Sequence, residues 1–354
     1  MSVTLPSLRR VVWYSALAVS GAAVAQTALL KATYVSPPAS RGPLHGLEPA
    51  PSSRPLLLPP AAADLPRMLP AMVAPRDALQ GLAARLRAAL SSLGDGGGFF
   101  AAARRDAPRE NPVVEKAAEV KPPVRVLYVG DSLVTGVGVS KDRLDASPPL
   151  PKFVSAVLAR HWRRDVRWRA LGRTGANLRG LRDALLPGLR EEVAAAAAAG
   201  EAVAAVVVVC GVNDWKRCGI AVGEARRGFR AELGEFVREI RGIVGDEAVI
   251  VLPALPAIGS APRFLRPLSN IVQWLCEAWD AEKKAIAEEE GGGGRRVHFV
   301  SVPSLEVMKR AGDVGGLFSP LDGIHPSDAG YRAWAEHIAD SLQGMTRAAV
   351  APAA

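Results

Sequence analysis

A doubly wound α/β fold with a mostly parallel sheet is what this sequence predicts, on three observations. From residue 124 onward, short Val- and Ala-rich runs alternate with amphipathic helical stretches, the pattern of a parallel sheet with helical crossovers. Two of those runs, Val124–Val129 and Val203–Val209, are largely or wholly apolar. Strands of this kind sit in the middle of a sheet with both faces covered. Finally, successive strands end in polar, glycine-containing turns, and in such folds those turns gather along one edge of the sheet.

Each element follows from its local pattern. The run Val124–Val129 stops at Gly130-Asp131-Ser132, a strand cut off by a turn. Residues 151–162 have helical spacing through Phe153, Val157 and Leu158. From Asp165 to Leu171, Val166, Trp168 and Ala170 alternate with Arg167 and Arg169, a half-exposed strand. It ends in Gly172-Arg-Thr-Gly175-Ala-Asn177, before a helix carrying Leu178, Leu181 and Leu185. The strand Val203–Val209 ends in Gly211-Val-Asn213-Asp214. Phe229, Leu233, Phe236, Ile240 and Ile243 then form a helical stripe suited to packing. A strand over 248–252, a proline-broken loop over 253–267, a helix over 271–290 and a strand over 297–302 come next. Last is Asp322-Gly-Ile-His325-Pro326, leading into a helix with Tyr331, Trp334, Ile338 and Leu342.

Three strand-ending turns and one histidine-bearing turn together suggest nucleophilic chemistry. Ser132 is placed as nucleophile, and His325 is the only histidine in a turn of this kind. Asp322, three residues earlier, can hold the imidazole in the tautomer that accepts the serine proton. The N–H groups of Ser132 and Gly175, with the Asn213 amide, would supply an oxyanion hole. Other roles are blander. Ser132 alone would read as a helix N-cap. Asp131 and Asp214 are expected to fix turn backbones, and His161, His298 and His337 to be structural or exposed. His325 has no second His or Cys close in sequence, as a metal site would want. The glycines at 130, 136 and 138 match neither dinucleotide nor P-loop spacing.

The blocks Gly130-Asp131-Ser132-Leu133, Gly172–Gly175, Gly211-Val-Asn213-Asp214 and Asp322-Gly-Ile-His325-Pro326 occur in an order that resembles the SGNH hydrolases, also called GDSL esterases/lipases. The resemblance covers roughly residues 124–342. It implies a flavodoxin-like three-layer α/β/α sandwich and cofactor- and metal-free ester hydrolysis through an acyl-enzyme. It gives Ser132, Asp322 and His325 the triad roles, and the Ser132 amide, Gly175 and Asn213 the oxyanion hole. Gly175 rather than Gly172 is matched to the oxyanion glycine. The substrate expected is a lipid or small acyl ester, with the loop 253–267 and the region 303–320 bordering the acyl pocket. A sugar-ester deacetylase, an acyltransferase and a non-catalytic binding module are the rival readings.

The rest of the chain is less specific. Residues 1–123 carry 14 basic and 8 acidic side chains, whereas 124–354 carry 30 and 27. The basic excess therefore lies mainly outside the esterase-like part, and no aromatic-interleaved basic stripe accompanies it, so nucleic acid is not an expected partner. Val11–Leu30 holds no charged residue and follows Arg9-Arg10. Within the N-terminal segment 1–35, this reads as a membrane anchor, a cleaved signal with Ala23-Val24-Ala25 as its cleavage site, or a transit peptide. The expected destination is a membrane, the secretory pathway or an organelle. Residues 36–123 read as a Pro/Ala-rich tether with one amphipathic helix over 77–93, and 346–354 as a tail. Three cysteines without CxxC spacing, Cys210, Cys218 and Cys276, indicate neither a disulfide framework nor a zinc site.

Overall fold

The computed structural model describes residues 20–50, 122–216, 221–292, 296–303 and 314–345. The chain divides into two units, Met1–Pro51 with Lys121–Ala354, and Ser52–Val120. The second unit, and with it the helix expected over 77–93, lies outside the described residues, as does the tail. The elements of the first unit begin near the N-terminus.

Helix α1 spans 20–33 and strand β1 His45–Glu48. Then come β2 (Val124–Gly130), α2 (Pro149–Trp162), β3 (Val166–Gly172), α3 (Leu178–Ala198), β4 (Val203–Val209) and the one-turn helix α4 (Val212–Trp215). The remainder is α5 (Val222–Val244), β5 (Val249–Pro253), α6 (Leu268–Glu290), β6 (Val297–Val300) and α7 (Asp328–Met345).

The sheet order is β1-β3-β2-β4-β5-β6. The five strands from β2 to β6 run parallel, in the order known from flavodoxin-like sheets. The chain steps from β2 outward to β3, then back over β2 to β4. With crossovers of one fixed hand, that reversal puts α2 and α3 on opposite faces. Accordingly α2 packs with α7, while α5 packs with α3 and with α6. The two helical layers cover β2, β4 and β5, which are buried along almost their whole length. In β3 only Val166, Trp168 and Ala170 face inward.

Between β2 and β4 the winding direction changes, and their C-terminal ends leave a crevice there. Ser132 and Asn213 lie just beyond those two strands.

One expectation fails. Residues 36–50 are not a loose tether, because His45–Glu48 adds an antiparallel strand beside β3. It is short and lies at the sheet edge, where a proline-flanked segment can pair. Backbone pairing and the bond from Trp168 Nε1 to Glu48 Oε1 at 3.3 Å hold it, not its own apolar content. A side chain at Gly46 would strike the Trp168 ring. Pairing of this kind leaves no periodic trace in the sequence.

Candidate active site

Beyond β2, a tight turn presents the serine. Asp131 Oδ1 accepts the Leu133 N–H at 3.0 Å. The Asp131 carbonyl accepts the N–H groups of Val134 and Thr135. Ser132 is thereby fixed at the strand end with 8% of its surface exposed.

The histidine arrives from the other end of the chain. Asp322 folds back on its own loop, its Oδ1 accepting the N–H groups of Ile324 and His325 at 3.0 and 3.1 Å. Its Oδ2 lies 2.6 Å from His325 Nδ1, and His325 Nε2 lies 3.1 Å from Ser132 Oγ. An imidazole that donates from Nδ1 to a carboxylate presents Nε2 as an acceptor toward the serine hydroxyl. Further bonds hold this loop and the helix that follows it. Ser319 N–H donates to the His325 carbonyl at 2.8 Å, and Tyr331 OH donates to the Val137 carbonyl at 2.7 Å.

Burial opposes the charge on Asp322. The bond from His325, the two backbone donors and the nearby imidazole outweigh it, holding Asp322 below the usual carboxylate range. It therefore stays ionised beside the His325 ring.

The turns after β3 and β4 interlock beside the serine. Asn213 Nδ2 donates to the Ala176 carbonyl at 2.9 Å and to Asp131 Oδ2 at 3.2 Å. Both amide hydrogens are thus engaged, so an oxyanion would have to share or displace one of these bonds. The two glycines of the β3 turn differ. A side chain at Gly172 would strike the Thr135 methyl at 2.5 Å, whereas Gly175 faces open space at φ +76°. Gly172 is required for close packing of two turns, and Gly175 leaves room for a ligand.

Asp214 does not fix its own turn as expected. Its Oδ1 instead accepts the Leu178 N–H at 3.0 Å, capping α3 across the gap. Burial, together with the charges of Asp131 and Glu232, pushes its carboxyl up to about 6. Burial also raises Asp131 above the ordinary range, which the Leu133 N–H and the charges of Lys216, His325 and Lys283 only moderate.

Two neighbours of the site carry no sequence signal. Tyr34, just after α1, donates its hydroxyl to Asp322 Oδ2 at 3.2 Å. Lys216 Nζ donates to Asn213 Oδ1 at 3.3 Å, polarising the amide so that its N–H groups become stronger donors. Burial lowers the Lys216 pKa.

The remaining candidates stand apart. His161 approaches Asp340 at 3.5 Å, and His337 Nε2 bonds the Ser301 carbonyl. His298 lies in β6. Cys210 and Cys276 are buried, and burial pushes both thiols up to about 12. Cys218 falls outside the described residues.

Among known structures, the chain is similar to a carbohydrate esterase family 2 enzyme from Corynascus thermopiles (Myceliophthora fergusii), at 17% identity and TM-score 0.42. That match covers 63% of this chain and 67% of the other. It is also similar to the acetylxylan esterase Axe2 of Geobacillus stearothermophilus, at 18% identity and TM-score 0.41, covering 63% and 95%. A Clostridium thermocellum family 3 carbohydrate esterase matches at 15% identity and TM-score 0.41, covering 64% and 100%. No curated protein matches significantly. The sequence profile of the GDSL-like Lipase/Acylhydrolase family matches residues 128–333, more than half the chain and all four turns. The chain belongs to the GDSL-like lipase/acylhydrolase family and is a hydrolase acting on ester bonds.

Proposed function

We propose that this hydrolase cleaves carboxylic esters through an acyl-enzyme on Ser132. The continuous chain Ser132 Oγ–His325–Asp322, with links of 3.1 and 2.6 Å, carries this reading. His325 Nε2 takes the hydroxyl proton as Oγ attacks the ester carbonyl. The developing oxyanion is met by the N–H groups of Ser132 and Gly175 and by one Asn213 hydrogen drawn from its present partner. Asp322 stabilises the imidazolium, which then protonates the departing alkoxide. A water deprotonated by His325 next attacks the acyl-enzyme, releasing the acid and regenerating the serine hydroxyl.

Two features support the assignment of parts. Asp322 is held ionised beside the imidazole, and Lys216 strengthens the amide expected to donate to the oxyanion. The test is kcat/KM for p-nitrophenyl acetate in wild type and Ser132→Ala. A fall of about 10⁴-fold or more is expected; retention of most of the activity would refute the nucleophile.

A further inference from the structure

A cavity of about 500 Å³ lies between α1 and α6, a size usual for small-molecule sites. Leu30 on α1 forms one wall, Trp215 on α4 and Phe264 from the loop before α6 a second, and Val272 and Leu275 on α6 a third. The cavity adjoins the site. Of its lining residues, Tyr34 bonds Asp322 and Lys216 bonds Asn213, while Val212 and Ile324 directly precede Asn213 and His325.

Helix α1 is a fixed part of this wall. Gln26 Nε2 donates to the Arg266 carbonyl at 2.9 Å, and Arg263 Nη2 donates to Thr33 Oγ1 at 3.0 Å. Leu30 and Tyr34 pack against the main core. Part of the segment read from sequence as anchor, signal or transit peptide thus lines the cavity, through Thr27, Leu30 and Lys31. Among the described residues, no helix is long and apolar enough to cross a membrane.

We propose that this cavity is the acyl site of the esterase and takes a straight acyl chain of medium length, with α1 as its outer wall. The inference rests on the esterase reading above and narrows its substrate class. Of the polar lining groups, Tyr34 and Lys216 bond to side chains of the site loops, which sets the carbonyl end of an ester there and the alkyl chain against the apolar walls, with Thr27 and Lys31 on the α1 side. An acetyl group would leave most of the volume unfilled, and nine of the fourteen lining side chains are pure hydrocarbon, a surface that suits an alkyl chain better than a row of sugar hydroxyls. Each buried methylene adds about fourfold to binding, so chain length should register strongly. The exposed Leu29, Leu265, Ile271 and Trp274 belong to the same surrounding elements, as suits a substrate delivered from a lipid aggregate.

The test is kcat/KM for p-nitrophenyl acetate, butyrate, octanoate and laurate with wild type, Leu30→Trp and Thr27→Trp, each variant setting an indole into the cavity. Wild type is expected to favour octanoate over acetate by at least tenfold, and both variants to lower that ratio at least tenfold. Sodium decanoate should inhibit wild-type acetate cleavage competitively, a measurement that needs no variant. A wild type that prefers acetate, a ratio unchanged in both variants, or no inhibition by decanoate overturns the acyl-site assignment alone, provided that Ser132→Ala abolishes acetate cleavage. If Ser132→Ala still cleaves acetate, the esterase reading falls and this inference with it.

Discussion

The strands that end at Ser132 and its neighbours begin in a second polar cluster, and the two differ in how their charges are met. At the N-terminal end of β2, Arg125 bonds Glu201 at 2.6 Å and Glu192 at 3.2 Å. Arg167 reaches the other Glu201 oxygen at 2.8 Å, and Arg169 the other Glu192 oxygen at 3.0 Å. Each of these carboxylates faces guanidinium groups. At the C-terminal end, Asp131 is fully buried and held by two neutral donors, the Leu133 N–H and the Asn213 amide. Asp214 has an oxygen, Oδ2, that is buried without a partner. In the first cluster all four carboxylate oxygens have a guanidinium partner, and the Arg169 Nε–H is the group left without an aligned hydrogen bond. The second holds two carboxyls whose pKa burial raises, one oxygen of Asp214 having no partner and Asp131 lying near His325, the pattern expected of a functional site.

The sharpest way to break this contrast is at Asn213. Asn213→Ala removes the amide that the proposed mechanism draws from its present partners to the oxyanion, and should lower kcat by about 10²–10³-fold with little change in KM. If KM rises instead and kcat holds, the amide serves only to tie the turns together.

Arg125→Met asks the reverse question of the other end. Leaving Glu201 and Glu192 short of a partner should cost about 3 kcal/mol, a fall in melting temperature on the order of 10 °C. kcat/KM of the folded protein should stay within about twofold. A large loss of activity without a loss of stability would mean that the clusters do not divide the work this way.

Asp214→Asn gives the finest test. Because the Asp214 pKa in the folded protein is raised to about 6, its contribution to stability is full below about pH 4 and is lost as pH rises through 6. The amide can still accept from Leu178, so the variant should gain on wild type across that window by about 3 kcal/mol at most. Chemical denaturation from pH 4 to pH 7 reads this directly. A pH-independent difference would show that Asp214 is not strained by burial.

Much of this was legible in the sequence because its causes are local. The continuous run Val203–Val209 marks a central strand, and the alternation around Trp168 marks a strand with one face exposed. The four turns carry their chemistry in a few adjacent residues, and Asp322 and His325 meet within one loop. The missed features depend on partners far along the chain. His45–Glu48 is a strand only because β3 offers an open edge. Tyr34 meets Asp322 across 288 positions, and Asp214 caps a helix that starts 36 residues earlier. The loop 253–267, expected to border an acyl pocket, lines the cavity proposed above for that role through Ile258 and Phe264. That expectation omitted α1, because a run without charges carries no hint that it packs beside the site. Of the region 303–320, residues 304–313 lie outside the described residues.

The central claim is that one hydroxyl is made reactive by one imidazole, and covalent labelling examines it most directly. Treated with a fluorophosphonate probe and mapped by peptide mass spectrometry, the wild-type protein should carry a single adduct, on Ser132, and His325→Ala should carry almost none at the same exposure. An adduct on another residue, or equal labelling of Ser132 without the histidine, would contradict the account.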